Sequence, residues 1–210
     1  MPAPQEPLPI AVLASGGGTN LQALLDSVHQ REARIVAVAS NVPGAPALAR
    51  ARERSVPTAV FPRSEYPDRG ARDAAMADWL AQHGARLLVL AGYMELISEP
   101  QLERFPGAVI NVHPSLLPAF PGLHAIEQAL AYGVKVFGVT VHFVDAGVDS
   151  GPVILQGARE LPDARDPTQV LHALRPLEHA LLPEAVRLFA RGALDFDPQN
   201  HRRVTIAGTP

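Results

Sequence analysis

The chain has 210 residues, no cysteine and a formal net charge of −3 at neutral pH. This length suits one domain, and the lack of thiols excludes a disulfide framework, a thiolate zinc site and a cysteine nucleophile. The slightly acidic balance offers no long-range attraction for nucleic acid or anionic lipid, and no apolar run suits a transmembrane helix or signal peptide. We therefore expect a single cytoplasmic domain over residues 1–210, with a core at about 9–194 and flexible termini.

The first half of the chain alternates between predicted strands and helices. Apolar runs predict strands at 9–14, 34–40, 58–61 and 86–91, and helical spacing predicts helices at 46–54 and 68–84. A further helix is expected to begin at Thr19, because Thr19 and Gln22 form a capping-box pattern. This order is typical of an α/β fold: a Rossmann-like, mostly parallel sheet with helices on both faces.

The pattern changes in the second half. An apolar strand at 107–110 leads into Asn111 and His113, and a helix is expected at 125–132. Two strands, 138–144 with one exposed face and 152–156, are separated by a short link, which predicts a C-terminal antiparallel hairpin extension. A long amphipathic helix is expected over 166–191 with a kink or break at its internal prolines, and the tail from residue 196 is weakly patterned.

A glycine-rich turn, Ser-Gly-Gly-Gly-Thr-Asn at 15–20, joins the first strand to the first helix. Glycines let backbone N–H groups approach a ligand, and a helix N-terminus favours an anion. A dinucleotide fingerprint fits poorly, because it needs glycine where Leu21 stands and an acid where Asn41 stands. No Lys-Ser/Thr pair follows the glycines, which excludes a P-loop. A monophosphate site and a tight turn without ligand both remain open.

Asn111 and His113 share one face of an extended backbone, and Asp149 lies in a loop before Ser-Gly-Pro. A carboxylate beside an imidazole orients the ring and favours its cationic form. An amide and an imidazolium both donate hydrogen bonds, so together they suit a developing oxyanion in acyl-type transfer. Taken singly, Asn111 and Asp149 also fit turn residues, and His113 also fits a structural histidine.

Two further histidines carry weaker interpretations. His142 fits a packed or solvent-facing strand residue, and His124 fits a cap of the next helix. A metal site built from these two and His113 is conceivable, but no HExxH or comparable spacing occurs, so we expect no metal.

The run 111–122, Asn-Val-His-Pro-Ser-Leu-Leu-Pro-Ala-Phe-Pro-Gly, closely resembles the signature of the folate-dependent formyltransferases. The glycine turn, Leu-Ala-Gly-Tyr-Met at 90–94 and the stretch 141–154 extend the resemblance from about residue 9 to about 194. It implies direct formyl transfer from 10-formyltetrahydrofolate to the amine of glycinamide ribonucleotide, in de novo purine biosynthesis, through a tetrahedral intermediate. Both substrates are small molecules, and no metal, nucleic acid or membrane is implied.

The resemblance also implies a role for each matching residue. The catalytic triad is Asn111, His113 and Asp149, and a cis peptide bond is implied before Pro118. The ribonucleotide contacts are Gly18, Thr19, Asn20, Pro114 and Glu178. The folate contacts are Met94, Glu95, Leu96, Ile97, Asn111, Asp145, Val148 and Arg63.

Three positions depart from the family pattern. Glu95 stands where the best-known relatives carry arginine, and Arg175 stands near a position often occupied by glutamine. The basic folate contact aligns either with Arg63 or with Ser64.

Three rival functions follow from the same motifs. A methionyl-tRNA formyltransferase is expected to carry a further RNA-binding domain and a basic surface. A formyltetrahydrofolate hydrolase is expected to carry an additional amino-terminal regulatory domain. A catalytically silent module would bind ligand and form no formylated product.

Overall fold

The computed structural model describes residues 6–208. The expected flexibility of the first five and last two residues therefore lies outside the described residues. The strands are β1 (Leu8–Leu13), β2 (Ala33–Ser40), β3 (Thr58–Val60), β4 (Leu87–Leu90), β5 (Val109–His113), β6 (Val136–Phe143), β7 (Val153–Glu160), β8 (Leu194–Asp197) and β9 (Asn200–Ile206). The helices are α1 (Thr19–Ser27), α2 (Pro46–Glu53), α3 (Arg69–Gln82), α4 (Glu99–Arg104), α5 (Ala125–Tyr132) and α6 (Pro167–Ala190). None of the helices in residues 6–208 combines the length and the apolar character that a membrane crossing needs.

The strands form one mixed sheet in the order β3-β2-β1-β4-β5-β6-β7-β9-β8. The pairs from β3 to β5 are parallel, whereas β5 with β6 and β6 with β7 are antiparallel. The mostly parallel α/β sheet and the antiparallel hairpin predicted from the sequence are therefore confirmed. A second antiparallel hairpin, β8 with β9, closes the C-terminal edge of the sheet.

Helices cover both faces of the sheet, and alternation along the strands explains why. On β1, Ile10 and Val12 belong to the apolar core shared with α1, α2, α5 and α6. The intervening Ala11 and Leu13 belong to a second core, which includes residues of α3. A parallel strand covered on both sides must be apolar throughout, which is why the central strands read as unbroken apolar runs.

One row of paired residues sets the level at which the site forms. Leu13 of β1 pairs with Leu90 of β4, Leu90 pairs with Asn111 of β5, and Asn111 pairs with His142 of β6. The glycine turn begins two residues after Leu13, and the segment 91–97 comes directly after Leu90. Loops after parallel strands are the usual place for ligands in open α/β sheets, so this row positions the site.

Several expectations about local structure were wrong. The capping box at Thr19 does not form: Thr19 is already helical, and the N-cap is Gly18, which has no side chain to cap with. Strand β6 is buried on both faces from its second residue. Val139 and Val141 pack into the larger core on one face, whereas Thr140 bonds to the backbone of residues 115–117 on the other. Helix α6 is continuous from Pro167 to Ala190, so the break expected as one alternative at Pro176 or Pro183 does not occur.

Burial explains the continuity of α6. Its inner face packs Leu174, Leu182 and Val186 into the larger core, and this packing offsets the two backbone hydrogen bonds that the prolines remove.

Candidate active site

Asn111 and His113, both on β5, meet Asp149 from the loop after β6. Asp149 Oδ2 lies 3.3 Å from His113 Nδ1, and Asp149 Oδ1 accepts a hydrogen bond from Asn111 Nδ2 at 3.4 Å. Strand β5 runs on through His113, two residues beyond its pairing with β4, so both side chains stand on a regular strand. The structure thus brings together the three residues that the sequence pattern selects.

His113 is surrounded by acceptors. The ring is buried, with Nε2 2.9 Å from the carbonyl oxygen of Phe120 and Nδ1 facing the carboxylate of Asp149. A neutral imidazole has one N–H and can satisfy only one of these acceptors, whereas an imidazolium donates to both. The structure therefore places an acceptor at each nitrogen of the ring. The peptide bond between Leu117 and Pro118 in the same loop is cis, as the resemblance implies.

Asp149 is held as a carboxylate. Burial alone would raise its pKa, but the contact with His142, the N–H of Gly122 at 2.8 Å and the charge of His113 together lower the pKa to about 2. Its backbone is also unusual, because Asp149 has a φ of 48°, in the left-handed region that L-residues adopt rarely. Such a conformation persists where neighbouring contacts fix it.

His142 is a site residue that the sequence reasoning did not identify. It is 1% exposed, and its Nε2 lies 3.2 Å from Asn111 Nδ2 and 3.5 Å from Asp149 Oδ1. Its Nδ1 lies 2.8 Å from the carbonyl oxygen of Phe143. The antiparallel register between β5 and β6 places His142 opposite Asn111, and knowing this register would have identified His142 as a site residue.

His124 does not join this cluster. It stands at the N-cap of α5 but makes no side-chain capping bond, and it is paired with Glu127 at 3.6 Å. Across residues 6–208, no three histidine, aspartate or glutamate side chains are grouped so that they could hold a metal ion.

The glycine turn approaches α2 closely. A Cβ on Gly18 would lie 2.7 Å from Ala47, and the φ of Gly18 is 71°, so only glycine fits this position. Gly16 and Gly17 would meet nothing within 4 Å. Arg50, which the sequence reasoning missed, donates from Nε to the carbonyl oxygen of Gly17 at 2.9 Å. Its positive charge and the open N-terminus of α1 suit a bound anion.

Asn20 and Glu178 connect this turn to α6. Asn20 Nδ2 donates to Glu178 Oε2 at 3.2 Å, and both side chains are buried. Burial raises the pKa of the Glu178 carboxyl, while the bond from Asn20 and the charge of Arg175 act in the opposite direction. Asn20 Oδ1 is buried without a hydrogen-bond partner among the described residues, so this oxygen is available to accept a hydrogen bond.

The side chain of Glu95 points toward the protein rather than outward. Its Oε1 accepts from Asn41 Nδ2 at 2.8 Å and from Arg72 Nη1 at 3.0 Å, and its Oε2 accepts from Arg72 Nη2. The hydrogen bond from Arg72, whose side chain is buried, lowers the pKa of the Glu95 carboxyl. Ser15 completes the network, accepting from the N–H of Met94 at 2.9 Å and donating to Asn41 at 2.6 Å. The glycine turn and the segment 94–97 are thus joined.

The other predicted folate contacts are mostly at the surface. Met94, Leu96 and Val148 are large exposed apolar side chains, and Ile97 is half-buried. Asp145 shapes its own loop, since its Oδ1 accepts from the N–H of Gly147 at 3.0 Å and from Ser150 Oγ at 2.7 Å.

The two basic candidates near this segment differ. Arg63 is exposed and donates to the carbonyl oxygen of Tyr66 at 3.5 Å. Arg69, which the sequence reasoning did not consider, donates to the carbonyl oxygen of Leu96 and so contacts the segment 94–97 directly.

Pro114, a predicted ribonucleotide contact, follows His113 and is half-buried.

A mostly parallel sheet that brings an amide, an imidazole and a carboxylate together near a glycine-rich turn is consistent with a group-transfer enzyme. The model of the formyl transferase family matches residues 8–186, and the chain belongs to this family.

Individual relatives agree with that class. The structure of glycinamide ribonucleotide transformylase 1 from Symbiobacterium toebii has a TM-score of 0.91 and 46% identity, covering 95% of this chain and 94% of that one. The phosphoribosylglycinamide formyltransferase of Mycobacterium tuberculosis is 42% identical over 188 residues, 89% of this chain and 87% of the relative. The formyltetrahydrofolate deformylase of Burkholderia mallei has a TM-score of 0.82 and 30% identity, covering 95% and 70%.

The chain also matches a small part of much longer proteins. It spans only 14% of the length of the trifunctional purine biosynthetic protein adenosine-3 from Drosophila pseudoobscura pseudoobscura.

Proposed function

We propose that this chain transfers the formyl group of 10-formyltetrahydrofolate to the primary amine of glycinamide ribonucleotide, a step of purine biosynthesis. The observation that carries the proposal is the meeting of Asn111, His113 and Asp149 at the row of the sheet that also positions the glycine turn. The names and high coverage of the relatives support the substrate pair. We further propose a cytoplasmic location with small molecules as the only substrates.

In this proposal the amine nitrogen attacks the formyl carbon, and the formyl oxygen becomes an oxyanion. Asn111 and His113 donate hydrogen bonds to that oxygen and stabilise the tetrahedral intermediate. The attacking nitrogen loses a proton, the bond from carbon to the folate nitrogen breaks, and that nitrogen gains a proton. His113 is suited to move a proton, because Asp149 orients its ring.

Donation by His113 requires an exchange of partners. In the structure, Nε2 of His113 already faces the carbonyl oxygen of Phe120 at 2.9 Å. The formyl oxygen would replace this carbonyl at Nε2. Binding of the formyl donor would therefore require Phe120, in the segment between β5 and α5, to move away from the ring. The ring then loses no hydrogen bond at Nε2, because one acceptor is substituted for another.

The ribonucleotide fits the other end of the site. Its phosphate would lie on the backbone N–H groups of Gly18, Thr19 and Asn20, near the charge of Arg50. Its amine would meet Glu178, whose buried carboxyl group accepts a hydrogen bond from Asn20. The neutral amine can donate a second hydrogen bond to this group and keeps the lone pair that attacks the formyl carbon.

The test is a spectroscopic assay of tetrahydrofolate release with and without glycinamide ribonucleotide. Release that depends on the ribonucleotide supports the proposal. Release of formate without it points instead to hydrolysis, the activity named for the Burkholderia mallei relative. Binding without either product would make the chain a silent module.

Two variants test the assigned roles. Asn111→Ala and His113→Ala are each expected to lower kcat by about a hundredfold or more, because each removes one oxyanion donor. His172→Ala is the matched control, since this histidine is exposed on α6. Near-normal rates in both site variants would contradict the mechanism, provided that circular dichroism shows them folded.

A further inference from the structure

The β8–β9 hairpin lies outside the residues matched by the formyl transferase model, yet it reaches the loop that carries Asp149. Arg202 of β9 donates from Nη1 to the carbonyl oxygen of Ser150 at 2.9 Å, one residue after Asp149. The hairpin also packs beneath the start of that loop, where the ring centroids of Phe196 and Phe143 are 5.1 Å apart.

The base of the loop is held by the sheet, where the N–H of Phe143 donates to the carbonyl oxygen of Pro152 at 2.9 Å. Between that base and Asp149, Arg202 holds the carbonyl of Ser150 from outside the loop, whereas the bonds from Gly147 and Ser150 to Asp145 are internal to it. Asp149 adopts a φ of 48°, which a non-glycine residue holds only when its neighbours enforce it. The side chain of Asp149 is held by Gly122 and the histidines, whereas Arg202 holds the backbone on its C-terminal side.

We propose that Arg202 is a positioning residue that keeps Asp149 in the conformation directed at His113. The guanidinium holds the Ser150 carbonyl, and this contact keeps the left-handed backbone of Asp149 in place. The kinetic part of this proposal depends on the proposed function, but the effect on the loop does not.

The chain supplies a matched control in the next residue. Arg203 lies on the same strand and is exposed, and it forms its ion pair within the hairpin, 3.7 Å from Asp197. Arg202→Met and Arg203→Met remove the same group and the same charge, but only the first removes a contact with the Asp149 loop. A general effect of hairpin stability would appear in both variants.

The first test is amide hydrogen exchange, which is independent of catalysis. The N–H of Gly122 bonds to Asp149 and that of Gly147 bonds to Asp145, so both report on the loop. In Arg202→Met both amides are expected to exchange about tenfold faster, as for loss of one charge-assisted hydrogen bond. In Arg203→Met they are expected to keep the wild-type rate. Equal rates in all three proteins would overturn the proposal.

The second test is steady-state kinetics. Arg202→Met is expected to lower kcat about tenfold with the KM for glycinamide ribonucleotide unchanged, because the loop positions His113 through Asp149. Arg202→Lys is expected to recover most of the rate, since an ammonium can donate to the same carbonyl. Equal losses of kcat in the Arg202→Met and Arg203→Met variants, with equal falls in Tm, would overturn the positioning role. If wild-type protein shows no turnover, the proposed function fails and the exchange experiment alone decides.

Discussion

Replacing Asp149 with asparagine removes one charge and keeps the size of the side chain. The carboxyl group lies 3.3 Å from His113 Nδ1 and accepts from the N–H of Gly122 at 2.8 Å. Against the effect of burial, which raises it, the contacts with His142, Gly122 and His113 lower the pKa of Asp149 from an ordinary value of 3.8 to about 2. The folded protein thus stabilises the ionised form.

The size of this effect follows from linkage. A difference of about two pKa units corresponds to at most about 2.5 kcal/mol of unfolding free energy. We expect about 1–2 kcal/mol, because solvent partly screens a half-buried group. Since the folded pKa is the lower one, the contribution is fully present well above pH 4 and is lost as the pH falls through about 2.

The assay is urea unfolding of the wild type and Asp149→Asn between pH 7 and pH 2.5. The difference in free energy of unfolding is expected to be about 1–2 kcal/mol at pH 7 and to shrink below pH 4. Turnover of Asp149→Asn is expected to fall at least about tenfold at pH 7, because His113 loses its carboxylate. Asp78→Asn, at a side chain that is 50% exposed, is the control and should show little change. A difference that is the same at pH 7 and pH 3 would refute the reasoning.

Three further substitutions test other parts of the site. Gly18→Ala should raise the KM for the ribonucleotide at least about tenfold and should lower Tm. Gly16→Ala should change neither quantity, because a Cβ at this position meets nothing within 4 Å. Similar behaviour of the two variants would argue against a phosphate at this turn. Glu178→Gln should raise the urea midpoint at pH 7, because burial raises the pKa of this carboxyl and its charged form therefore destabilises the fold. The same variant should raise the KM for the ribonucleotide, and an unchanged KM would remove Glu178 from the site. Glu95→Gln should lower the free energy of unfolding by about 1–2 kcal/mol at pH 7, because buried Arg72 loses a charged partner. The same variant should raise the KM for the formyl donor. Unchanged stability at neutral pH would mean that the pair of Arg72 and Glu95 contributes nothing to stability.

The strands and most helices were predictable because their signals are local. Helix α5 has the bounds 125–132 that its apolar spacing predicts, and β1, β2 and β4 match to within a residue or two. The six-residue helix α4 and the β8–β9 hairpin were missed, since short polar segments carry little periodicity. The exposed face expected of β6 was wrong because alternation on a strand does not reveal what packs on its second face, here the segment 115–117.

The site was only partly predictable, and the reason is distance along the chain. Asn111 and His113 could be paired because a strand places them on one face. His142 could not, because its contact with Asn111 depends on the register between β5 and β6. The inward turn of Glu95 was equally hidden, since Arg72, 23 residues earlier, is its partner across a helix and a strand. The loop sequence made Asp149 a candidate, but only the resemblance to a family joined it to the strand, and Glu178 came from that resemblance alone.

The hydrogen bond between Asn20 and Glu178 joins residues that are 158 positions apart. Under the proposed roles, a chain that has folded only its amino-terminal half would hold the residues assigned to the phosphate but not the carboxylate assigned to the amine. Full affinity for the ribonucleotide would then appear only after α6 has docked, so ligand binding would report completion of folding.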